Sequence, residues 1–198
     1  YRNPEIFYVL DKLKRQGKIC HYGVSVEKVD EALEALNYDI SAIEVIFNMF
    51  RLKPAEELFP KASKQNVGII VRVPLASGLL TGKYSEETTF GKADHRCYNR
   101  NGEFFDKGET FSGVDYMTGV KAARELKQLL HTDNLAARAL RYILMYPEVS
   151  TVIPGASSPA QIMENVKASS LPPFSHEEME VVRQVYDKHI RSLVHHCW

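Results

Sequence analysis

Four short apolar runs stand out along the chain: 19–25, 40–47, 67–73 and 149–153. Val67-Gly-Ile-Ile-Val-Arg-Val73 is the clearest, nearly continuous and β-branched, as expected of a parallel strand covered on both faces. The segments between the runs carry helical spacing. Val29, Ala32, Leu33 and Leu36 share one face, as do Leu135, Ala139, Leu140 and Ile143. Pro54 stands where a first-turn proline opens a helix carrying Leu58, Phe59 and Ala62. This alternation predicts parallel βα units with right-handed crossovers.

Two helix starts carry their own chemistry. Ser158-Pro-Ala-Gln161 combines an N-cap serine, a proline at N1 and a glutamine at N3, the pattern of a capping box. Ser175-His-Glu-Glu178 repeats the device ahead of a stripe of Met179, Val182, Tyr186, Ile190 and Leu193. Pro172-Pro173 separates the two helices. From 74 to 110 no period is sustained, and a loop that long in a compact domain is usually functional, often a lid; a solvated insertion is the plainer alternative.

A complete (β/α)8 barrel averages about 31 residues per unit. Four strands therefore predict an α/β fold of the (β/α)8-barrel type that is incomplete: one domain over 1–198, with the 74–110 loop and a C-terminal helix over 175–194. A doubly wound open sheet is the other architecture, but no Gly-x-Gly occurs among the 11 glycines, so the usual dinucleotide fingerprint is absent. Half a barrel leaves unpaired strand edges and an inner face covered on one side only. Such a chain is expected to seek its missing N-terminal half or a second copy of itself.

Composition narrows the partners. The chain is 44% hydrophobic over 198 residues, which excludes wholesale disorder. Lys plus Arg and Asp plus Glu are 25 each, so no basic excess points to nucleic acid or an anionic membrane. No apolar run reaches the ~18 residues of a membrane span, and no secretory leader is visible. Cys20, Cys97 and Cys197 are scattered and odd in number, as expected of reduced thiols in a cytoplasm. The chain begins at Tyr1 rather than Met, close to a helical pattern, which reads as a missing front.

Leu75-Ala-Ser-Gly-Leu-Leu-Thr-Gly-Lys83 follows the third strand directly. A nucleotide-triphosphate loop needs four residues between its glycines and then Lys-Ser/Thr; here three separate Gly78 from Gly82, and Tyr84 follows Lys83. A glycine-rich loop at a strand's C-terminal end is still placed to hold a phosphate, although a plain turn uses the same residues. Ile153-Pro-Gly-Ala-Ser-Ser-Pro-Ala-Gln161 runs from strand end to helix N-terminus, where free N–H groups attract anions. Ordinary capping is the alternative for this loop alone. Together, two such loops after consecutive strands match the usual phosphate site of barrels.

Segments 17–25 (GKICHYGVS), 74–83 (PLASGLLTGK) and 153–165 (IPGASSPAQIMEN), with Asp-His-Arg at 94–96, resemble strands five, seven and eight of the aldo-keto reductases. The resemblance covers essentially the whole chain and implies NADPH-dependent reduction of aldehydes and ketones on a (β/α)8 barrel. By matched position it implies that Ser25 and Glu44 face the nicotinamide carboxamide and that Phe47 stacks on the nicotinamide ring. Glu44 stands where the family usually has glutamine, and Val26 where many members have asparagine. Arg72, Pro74, Leu75, Ala76, Ser77 and Gly78 would run along ribose and pyrophosphate, with Lys83 and Arg96 as partners for phosphate charge. Gly155, Ser157, Gln161, Glu164 and Asn165 match the adenosine and 2′-phosphate end. The resemblance implies NADP as cofactor; many relatives place Arg or Lys near 157 or 161, where this chain is neutral, so NAD stands as the other candidate.

The family's catalytic Asp, Tyr, Lys and His come from the first four strand ends, which this chain does not contain. None of its ten tyrosines sits in the matching frame. His195-His196-Cys197 has no partner cluster for a metal, His95 reads as a loop-packing residue, and the basic run Lys12 to Lys18 reads as a solvated helix end. The expectation is the cofactor-holding half of a carbonyl-reducing oxidoreductase. The alternative is a non-catalytic nucleotide-binding or interaction module that dimerises. The carbonyl substrate is not legible.

Overall fold

The computed structural model describes residues 3–198. Strands β1 (Gly23–Ser25), β2 (Ala42–Ile46), β3 (Gly68–Arg72) and β4 (Val149–Val152) form one sheet in the order β1-β2-β3-β4. All neighbours are parallel, with Val24 opposite Ile43, Ile43 opposite Ile69, and Val71 opposite Val152. Sequential parallel order is what repeated βα crossovers produce. Strands β1 and β4 are each paired on one side only.

Burial along the strands alternates. Ile43, Val45, Ile69 and Val71 are fully enclosed, while Ala42, Glu44, Gly68, Ile70 and Arg72 are half-buried. The expectation that 67–73 is covered on both faces is therefore corrected. One face packs under helices; the other carries Glu44 and Arg72 and has no second layer among the described residues.

The helices follow the sequence pattern with three departures. The first helices are α1 (Pro4–Arg15), α2 (Val29–Ala35), α3 (Phe59–Lys64) and α4 (His95–Tyr98). They are followed by α5 (Tyr116–Leu129), α6 (Leu135–Ile143), α7 (Pro159–Lys167), α8 (His176–His189) and α9 (Arg191–Val194). The helix opened by Pro54 starts as a wide π-helical turn, Pro54–Leu58, in which Phe59 N–H reaches back to Pro54 O. Pro60 has no N–H for the next rung, so the register shifts before α3 continues. Helix α5 is absent from the sequence reading, although Asp115 caps it by accepting from Thr118 N and Val120, Ala123 and Leu126 bury one stripe. The single helix expected over 175–194 breaks at Ile190. Ile190 and Val194 are buried but Leu193 is exposed, so the break turns the buried face away from Leu193 and onto Val194.

The capping chemistry is only partly as expected. Ser175 and Glu178 form the full reciprocal box, at 2.8 and 3.1 Å. At α7, Ser158 Oγ accepts from Gln161 N, but the Gln161 side chain turns to Ser157 N–H instead of Ser158. At the C-terminus the Trp198 ring is buried, with the Arg51 guanidinium 4.0 Å from its centroid.

Candidate functional site

The chain leaving β3 reverses within a few residues. Val73, Ala76, Ser77 and Gly78 all have positive φ, at 48, 48, 54 and 96°. At Gly78 an added Cβ would run into the Tyr84 ring, so glycine is required twice over, by conformation and by space. The Ser77 hydroxyl donates to Glu109 O at 3.0 Å and accepts from Phe111 N at 3.1 Å. It pins the far end of the 74–110 segment and is not free to donate to a phosphate. Ala76 is fully buried and reaches no ligand with its side chain.

The loop leaving β4 is more open. Gln161 Oε1 accepts from Ser157 N at 2.6 Å and from Ser157 Oγ at 3.0 Å, which shapes the turn into α7. Gly155 lies in clear space, with nothing within 4 Å of an added Cβ.

These two loops face one cleft of about 970 Å³. Pro74, Leu75, Ser77, Gly78, Lys83 and Arg96 line one side, and Gly155, Gln161, Glu164 and Asn165 the other. Val73, Tyr98, Phe105, Glu109 and Asn134 are among the other residues that line it, so part of the 74–110 segment forms a wall. The volume is at the upper end of the ~300–1,000 Å³ typical of small-molecule sites. Lys83 Nζ has no ion partner among the described residues. Arg96 does: Asp94 binds it at 2.5 Å, and the Tyr84 hydroxyl accepts from it. The hydrogen bond from Arg96 holds Asp94 down at about 2, so the pair is locked in its charged form.

Beside the cleft, at the strand ends, lies a network of opposite character. Ser25 sits opposite Glu44 in the β1–β2 register. Arg72 donates to Glu27 at 3.0 Å, to Val26 O at 3.1 Å and to Glu109, and its Nε lies 3.8 Å from Glu44. Arg51 is 1% exposed and donates to Glu27 O, but its Nε and Nη1 have no partner. Burial lowers Arg51 to about 10. Burial, aided by the hydrogen bond to Glu109, lifts Glu27 to about 7 despite Arg72.

Three expected contacts therefore change. Arg72 is caged by carboxylates and is not on the cleft wall, so it has no free charge for a pyrophosphate. Phe47 has no exposed surface; it packs against Phe59 and Tyr146, each with centroids 4.9 Å away, and cannot offer a ring face to a ligand. The reason is parity: Phe47 continues the enclosed series of Ile43 and Val45, opposite in facing to Glu44. Ser157 is tied to Gln161 just outside the cleft. Glu27, Asn48, Arg51 and Glu109 were missed, and of these only Glu27 had a usable signal, a charge just beyond a strand's C-terminal end.

The aldo/keto reductase family pattern matches residues 2–187, and the chain belongs to that family. It is 27% identical to an uncharacterised oxidoreductase of Bacillus subtilis, YqkF, over 90% of this chain and 54% of that protein. It is 26% identical to the NADH-specific methylglyoxal reductase of Escherichia coli, over 84% of this chain and 49% of that one. The glycerol dehydrogenase AKR11B4 from Gluconobacter oxydans superposes with a TM-score of 0.70 at 26% identity, covering 91% of this chain and 53% of that one. The fold is thus of the (β/α)8-barrel type, incomplete, and the chain spans about half the length of the curated relatives it matches. No helix among the described residues is long and apolar enough to cross a membrane.

Proposed function

We propose that this chain is the dinucleotide-holding half of an NAD(P)H-dependent aldo-keto reductase acting on an aldehyde or ketone. The observation that carries the reading is the single cleft shared by the loops after β3 and β4. The residues suit the phosphate end of a dinucleotide: unpaired Lys83, an open Gly155 and the N-terminus of α7 converge there. The cofactor, when bound, supplies hydride to a carbonyl carbon. This chain's part is to hold it: Pro74, Leu75 and Gly78 give a backbone wall, and Gln161, Glu164 and Asn165 meet the adenosine end. Ser25 and Glu44 remain the groups for the carboxamide, with Glu44 able to accept but not to donate. The family's catalytic Asp, Tyr, Lys and His have no counterpart here, so this half binds without completing proton transfer.

Its partner in this reading is an N-terminal half-barrel or a second copy of the chain. The one-sided edges of β1 and β4 support this, as do exposed apolar residues on two of the helices: Ile6 and Val9 on α1, Ile162 and Val166 on α7. A cytoplasmic setting is supported by three exposed cysteines without disulfides. Titration with NADPH and NADH, followed by cofactor fluorescence, and an assay of consumption with a generic aldehyde test the proposal together. Binding without turnover is the expected result. Turnover by the chain alone would overturn the account of the absent acid, and failure to bind either cofactor would overturn the function.

A further inference from the structure

A second cavity, of about 280 Å³, opens between α6, α8 and the π-helical turn at Pro54–Leu58. It shares no lining residue with the cleft. Leu52, Ala55 and Met179 give it an apolar body, and Tyr142 and Tyr146 bring hydroxyls to it. Ala55 belongs to the widened turn, and such turns recur at functional sites. The two hydroxyls bond each other at 2.8 Å and have no other partner among the described residues. Burial raises both phenols above their ordinary value, so each keeps its proton at neutral pH. Two O–H protons thus share one hydrogen bond, which leaves one donor over. Tyr142 is 2% exposed, and a donor stranded at that depth calls for an acceptor.

The charges around the cavity select that acceptor. Arg183, from α8, lines it and has no hydrogen bond or ion pair among the described residues. Glu56, on the facing turn, is already held by Arg191. Glu180, exposed on the same helix as Arg183, opposes a second negative charge. We propose that this cavity binds a small aromatic carboxylate. Its carboxylate accepts from the surplus tyrosine hydroxyl and from Arg183, and its ring lies against Leu52, Ala55 and Met179. A thioether beside an aromatic ring is a favourable contact. The volume falls just under the ~300 Å³ at which small-molecule sites begin, which limits the ligand to a single ring. Inorganic phosphate has no apolar body and is partly dianionic at neutral pH, so it does not suit a site bordered by Glu180.

Calorimetric titration of the chain with benzoate, and with inorganic phosphate as the contrast, tests the site. Benzoate is expected to bind with a Kd below about 1 mM, and phosphate about tenfold more weakly or not at all. Arg183→Gln should weaken benzoate about tenfold, as should the double variant Tyr142→Phe with Tyr146→Phe, each by removing a donor to the carboxylate. Replacing both hydroxyls leaves no stranded partner behind. Arg183 is exposed, so its substitution decides the matter where the double variant fails to fold. Absence of benzoate binding, or equal binding of phosphate, overturns the inference. So does a benzoate affinity that survives Arg183→Gln, or one that survives the double variant. The cleft and its cofactor reading stand in every case.

Discussion

Asn48 Nδ2 donates to the carbonyl of Val73 at 2.9 Å, joining the exit of β2 to the exit of β3. Val73 is a β-branched residue at φ 48°, a conformation it does not adopt unaided. The same Asn48 side chain donates to Ser112 Oγ at 2.8 Å and accepts from Phe50 N at 2.8 Å. One enclosed amide therefore fixes the corner from which the cleft wall starts.

Asn48→Ala leaves the buried Phe50 N–H without its partner and removes one of the two hydrogen bonds to the Val73 carbonyl, which keeps only Ala76 N. The expected cost is about 2–3 kcal/mol of unfolding free energy. Urea unfolding measures it; a change below about 0.5 kcal/mol, the scale of an ordinary surface substitution, would show that the corner is held by other means.

Glu27 should give stability a dependence on pH. Its ordinary value of 4.5 is lifted to about 7, by burial first and the Glu109 hydrogen bond second. Between those two values the folded chain keeps a proton that the unfolded chain has lost, so stability present at low pH is lost as pH rises through the window. Glu109 acts in the opposite sense: burial pushes it up, but hydrogen bonds from Glu27 and Arg72 outweigh this and hold it low, so its contribution is lost as pH falls. In thermal melts, the difference in Tm of Glu27→Gln over wild type should therefore grow in favour of the variant from pH 4.5 to pH 7 and then level off. A difference that stays flat across the series would place the proton elsewhere.

Gln161 closes its side chain onto Ser157, and neither residue carries charge. Gln161→Arg adds a guanidinium at the end of the cleft expected to face a 2′-phosphate. The ratio of NADP⁺ to NAD⁺ affinity should rise about tenfold, on the scale of one charge-assisted hydrogen bond. No change in the ratio would mean that the adenosine end lies elsewhere.

Gly113 has φ 73°, and an added Cβ there would come within 2.5 Å of the Trp198 ring. Gly113→Ala combines backbone strain with that collision and is expected to cost about 1–3 kcal/mol. A melt indistinguishable from wild type would show that the C-terminus yields freely.

The parallel order of the sheet was legible because each apolar run is short, β-branched and bounded by helical spacing. Helix ends at Ser158 and Ser175 were legible because capping is local chemistry. What was not legible depends on facing. Phe47 and Glu44 are three residues apart in one apolar run, and sequence alone did not say which side of the sheet each would take. Arg72 looked like a phosphate ligand because nothing nearby in sequence announces Glu109, which lies 37 residues on. Helix α5 was missed because Gly119 and its small alanines dilute the apolar stripe.

Trp198 is the chain's one tryptophan, and its ring rests on the guanidinium of Arg51, itself bound to the backbone of Glu27. The indole emission of this protein thus reads out a single place, two residues' reach from the strand ends. Whatever settles there will be seen in the native light of the unlabelled chain, without any dye.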